Sequence, residues 1–222
     1  SAMNAYGSEN LNAEHATDIL VASVKQGKLE ASELAASMGS VIPTASALGV
    51  GFDAVGAAMA AMSRTGTKAA EGSTQLNAIL MGLTKTTPAA QQAFADMGLN
   101  SADLRAELAE EGGLISVLGK LKVGIDGNAD AAAAIYPNVR ALKGVLDLTG
   151  AGAQVATNIF GELANAQGAT AEAFAVTEKR AGFKLKKALN QAKESFQDVG
   201  TVLLTQLLPV LTGLLNGIKN IF

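Results

Sequence analysis

The sequence contains no cysteine and no tryptophan, and it has a single histidine, His15. Without thiols there is no disulfide, no thiolate metal site and no cysteine nucleophile, and no redox compartment is implied. A zinc site would have to rest on carboxylates and His15, and a Ser-His-Asp triad lacks the glycine-flanked nucleophile turn that such enzymes use. His15 is expected at the surface in the first turn of a helix. Aromatic residues make up only 4% of the chain although 49% of it is apolar, so alanine, leucine and valine supply the hydrophobic mass. Such side chains let helices approach closely and bury little area each. The net charge of -3 gives no general attraction for nucleic acid. Alternating apolar and polar runs of β-branched residues are missing too, which argues against strands. The expected fold is all-α, a stack of short helices punctuated by the 24 glycines and followed by a longer helical arm.

What is present centres on Leu48–Leu99, three apolar helical runs separated by glycine-bearing breaks. Phe52, Val55, Met59 and Met62 recur at helical spacing in the first run, Leu76, Ile79, Leu80 and Leu83 in the second, and Phe94 and Met97 in the third. Leu76 and Leu80, one turn apart, are expected in the core. Thr67 is positioned to cap the second run, and Thr87 followed by Pro88 to start the third, because proline is tolerated at the first helical position. Gly66 and Gly98 stand where left-handed helix stops are expected.

Upstream, Leu11 to Gln26 reads as a helix closed by Gly27, and Leu29 to Met38 as one closed by Gly39. Val41 to Leu48 contains Pro43 and ends at Gly49. Downstream, Ser101 is the expected cap of a short acidic helix that carries Asp103, Glu107, Glu110 and Glu111. Another helix runs from Leu114 to Val123, and Pro137 should end one begun at Asn128. Val155, Ile159, Phe160 and Leu163 mark a further helix. Ala169 to Phe222 reads as one long helix or two.

Two motifs have plain alternatives. Gly49-Val50-Gly51-Phe52-Asp53-Ala54 has the glycine spacing of a dinucleotide fingerprint, but that fingerprint follows a strand, and here VIPTASAL precedes it. A turn between helices is the expected reading. Asp126-Gly127-Asn128-Ala129-Asp130 opens like a calcium loop, yet Ala131 stands at its sixth position and Pro137 at its twelfth, so an Asx turn leading into a helix is expected instead. No cofactor and no metal are expected, and no enzymatic activity.

The core stretch resembles the tail tape-measure protein family of tailed phages. Glu71-Gly72-Ser73-Thr74-Gln75-Leu76-Asn77 is similar to that family's E-A-G-T-x-L-R motif, with Asn77 in place of the arginine. The run from Ile19 to Val50, ILVASVKQGKLEASELAASMGSVIPTASALGV, and RALKGVLDLTG at 140–150 are similar to family segments as well. The resemblance implies a structural protein in the lumen of the virion tail, made in the host cytoplasm, that templates tube polymerisation and sets tail length. Implied partners are tail tube subunits, tail assembly chaperones or baseplate initiator proteins. A helix rises about 1.5 Å per residue, so a helical chain threaded through a tube converts residue count into length. The glycine breaks make this stretch a poor ruler, and the measuring segment is expected elsewhere in a longer chain. The chain stops mid-pattern at Asn220-Ile221-Phe222, which also reads as a piece of something longer.

Three regions are therefore expected: a flexible start at 1–10, in which Ser1-Ala2-Met3 reads as a tag remnant, a multi-helix region at 11–166, and an arm at 167–222. In the arm, Arg180, Lys184 and Lys187 share a helical face, best read as solvated, and DNA contact is not expected. Leu204, Leu208, Leu211, Leu215 and Ile218 form an apolar stripe across TVLLTQLLPVLTGLLNGIKNIF, expected to self-associate or to pack on a tail partner. The alternative is a membrane-active module that inserts through this helix during genome ejection.

Overall fold

Among the described residues of the computed structural model, which are 2–7, 11–110, 112–136, 138–178 and 190–191, there are thirteen α-helices and no strand. The all-α expectation holds. Contacts group Ser1–Thr170 into one unit and Ala171–Phe222 into a second. Of the second, residues 171–178 and 190–191 are described.

The first unit is built around α5 (Phe52–Arg64), whose sequence FDAVGAAMAAMSR is apolar or small between the charged residues near its ends, Asp53 and Arg64. A helix without a polar face has to be enclosed. It is enclosed by α2 (Ala13–Gln26), α4 (Ile42–Ala47), α6 (Ala69–Leu83), α11 (Val139–Thr149) and α12 (Ala153–Ala164). Around α6 lie α3 (Ala31–Met38) and α8 (Ser101–Leu108). Helix α9 (Gly113–Ile125) touches α8, α11 and α10 (Ala129–Ile135), and α10 packs on α7 (Pro88–Asp96). The short α1 (Ala2–Tyr6) rests on α2 and α4, and α13 (Ala169–Glu178) follows α12.

The three apolar runs fall on α5, α6 and α7, and Leu76 and Leu80 are fully buried. Thr87 caps α7 by accepting the Ala90 amide, and Gly66 and Gly98 are left-handed as expected. Asn128 caps α10 through the Ala131 amide, the turn expected for that segment, and α10 ends before Pro137.

Two local expectations give way. Thr67 does not cap α6; Lys68 occupies the cap position, and the Thr67 hydroxyl is used in a tertiary contact. The cap of α8 is Asn100 rather than Ser101, because Asn100 has the extended backbone and its side chain accepts the Ala102 amide at 2.7 Å. The helix marked by Val155, Ile159, Phe160 and Leu163 is α12, in which Ile159, Phe160 and Leu163 are buried with Ala156 while Val155 is 41% exposed.

The crossing of α2 and α5 shows why small residues dominate. A Cβ at Gly27 would stand 2.9 Å from the Ser23 carbonyl oxygen and 3.1 Å from the Ala60 Cα, both backbone atoms. Only glycine fits there. Ser63 of α5 ties the junction, accepting the Lys28 amide at 2.8 Å and donating to the Ala60 carbonyl at 2.6 Å.

Candidate functional site

The motif-bearing start of α6 carries a polar network that reaches α11. Thr67, almost fully buried, donates to Asp147 of α11 at 2.8 Å and accepts from the Lys143 ammonium at 2.8 Å. Lys143 also reaches Asp147 at 3.0 Å and Glu71 at 3.3 Å, and the Gln75 amide donates back to Glu71 at 2.9 Å. Lys143 and Asp147 are one turn apart on α11, so they meet locally before either meets α6. Although partial desolvation opposes it, the Asp147 and Glu71 carboxylates hold the Lys143 ammonium above its ordinary value. The arrangement fastens the α5–α6 turn to α11. Its hydrogen bonds and ion pairs run within or between the start of α6, the turn before it and α11, which makes it a structural lock.

Asn77, where the family motif has arginine, is half-buried, and its side-chain oxygen has no hydrogen-bond partner. Gln75 Oε1 and the Tyr136 hydroxyl are likewise buried without a partner. Burial pushes the Tyr136 phenol above its ordinary range.

A cavity of about 310 Å³ is lined by Tyr6, His15, Ser46, Phe52, Asp53 and their neighbours. Tyr6 donates to the Val50 carbonyl at 2.8 Å and meets Phe52 edge-on, with ring centroids 5.9 Å apart. Burial, and then the Asp53 charge, raise the Tyr6 phenol. His15 is half-buried at the rim of this cavity rather than free on the surface. The glycine spacing at 49–54 is a turn from α4 into α5, with a helix before it rather than a strand.

Arg180, Lys184, Lys187, Leu204, Leu208, Leu211, Leu215 and Ile218, the interaction residues read from the sequence, lie outside the described residues. Among the described residues no three His, Asp or Glu gather as metal ligands. None of the described helices is long and apolar enough to cross a membrane. The lock between α6 and α11 was not foreseen. Glu71 stands in the family motif and RALKGVLDLTG was singled out, but nothing local pairs two segments about 75 residues apart.

A family model described as phage-related minor tail protein matches residues 1–137, which takes in α1 to α10. The chain is 23% identical over 224 residues to a protein named tape measure protein from Pneumococcus phage Dp-1. That match covers 100% of this chain and 19% of the relative, so the chain spans about a fifth of the relative's length. No solved structure gives a significant match.

Proposed function

Since this chain belongs to the phage-related minor tail protein family, whose members have a structural role in the tail, we propose that it is a non-enzymatic assembly module of a tape-measure protein. In this reading it occupies the tail lumen after assembly in the host cytoplasm, and it helps to start the tube by meeting tube subunits, assembly chaperones or initiator proteins. One observation carries the assignment of a folded module rather than a ruler. Residues 11–170 turn back on themselves at left-handed glycines such as Gly49, Gly66, Gly98 and Gly127 and enclose α5, so residue count is not converted into length here. An extended helix would gain about 1.5 Å per residue. The match along the whole chain to a named tape measure protein supports the same placement, with length measured by other parts of the longer protein.

The test is an in-frame deletion of 11–166 from the full-length gene, with particles viewed by electron microscopy. Loss of tails without a population of shorter ones is the expected result. Tails shortened by about 1.5 Å per deleted residue would make this segment part of the ruler. Tails of normal number and length would remove it from assembly.

A further inference from the structure

The end of the first unit is attached in an unusual way. Asp18 of α2 is 2% exposed, a depth at which a carboxylate needs partners. Its partners come from about 150 residues further on: Oδ2 accepts the Gly168 amide at 2.7 Å and Oδ1 accepts the Thr170 amide at 2.9 Å. Gly168 has φ +83°, a left-handed turn that brings its own amide and that of Thr170 to one carboxylate.

Apolar packing offers little alternative hold on this segment. Between Leu163 and Phe174 the only apolar side chains are alanines, of which Ala166 is buried. Hydrogen bonds to a charged acceptor are the stronger kind, and two of them share this carboxylate.

We propose that Asp18 is the clasp that keeps 168–170 on the first unit and so fixes where the chain leaves it. Hydrogen bonding from Thr170, then from the Gly168 amide, holds the Asp18 carboxyl below the ordinary aspartate range. The Thr170 hydroxyl itself lies outside hydrogen-bond geometry, so the two amides are the firm partners. Asp18 is a positioning residue in this role.

Amide exchange measured by NMR on the full chain tests the clasp. In Asp18→Ala the Gly168 and Thr170 amides should exchange at least about tenfold faster, while Met59 and Ala60 in α5 keep their protection, as expected of local opening. Asp18→Asn, which retains one acceptor oxygen without the charge, should fall between. Unchanged exchange at Gly168 and Thr170 in Asp18→Ala would overturn the proposal. Should that variant fail to fold, the carboxyl carbon of Asp18 is titrated in the unaltered chain. A midpoint below about 4 supports the clasp, and a midpoint at or above it overturns the clasp.

Discussion

Helices α5 and α8 are both preceded by short turns, yet they take opposite places in the fold. In α5 ten of thirteen residues are buried, from Phe52 to Ser63, and most of these are alanine, glycine or serine. In α8 only Leu104 and Leu108 of its eight residues are buried, and its outer face is charged. Small side chains let α2, α4, α6, α11 and α12 all reach α5, while α8 is held by two leucines and a polar contact to α9. Centrality here is set by how closely neighbours approach rather than by how large the buried side chains are.

The largest effect should follow from opening a void in α5. Met59, 1% exposed, lies inside the core, and Met59→Ala should cost about 2–5 kcal/mol in a urea titration of the full chain. Leu104→Ala in α8 should instead appear first as faster amide exchange confined to α8 and α9, because edge elements open locally. Equal losses of overall stability from the two substitutions would erase the distinction between centre and edge.

A smaller loss should come from adding a methyl group where α2 meets α5. Gly27→Ala drives a Cβ against backbone that cannot rotate away, and overpacking of this kind costs about 1–3 kcal/mol. A melting temperature equal to that of the unaltered chain would show that α2 and α5 have room to slide apart.

What the sequence made legible follows the range of the forces involved. Helices α5, α6 and α7 could be read because their apolar spacing, Thr87-Pro88, Gly66 and Gly98 act within a few residues of one another. Asn100 and Ser101 are adjacent and equally able to cap, and only the extended backbone at Asn100 decides between them. Thr67 and Asp18 could not be read at all. The hydroxyl that looked free to cap α6 is claimed by Lys143 and Asp147, and the partners of Asp18 lie at 168 and 170. Tyr136 was hidden for a related reason. Its ring lies against Gly82 of α6, a contact set by how α10 packs and not by any pattern around Pro137.

The smallest effect should fall on the polar side of α8. Glu107 accepts from the Lys120 ammonium at 2.6 Å and from the Ser116 hydroxyl at 2.5 Å, both on α9. The Lys120 hydrogen bond first, and then that of Ser116, hold the Glu107 carboxyl below its ordinary range. A carboxyl depressed in the folded state stabilises the fold above its unfolded value of about 4.3, and that stabilisation is lost as pH falls through the lower folded value. The side chain of Lys120 is 49% exposed, so water screens the pair and its worth is at most about 1 kcal/mol. Glu107→Gln should therefore lower stability near pH 7 by no more than this, and the gap to the unaltered chain should close in acid below about pH 4. Leu104 and Leu108 remain in place in that variant, so the exchange protection of α5 should not change. A loss of several kcal/mol, or a gap that persists in acid, would mean that the edge of this fold depends on charge far more than on its two leucines.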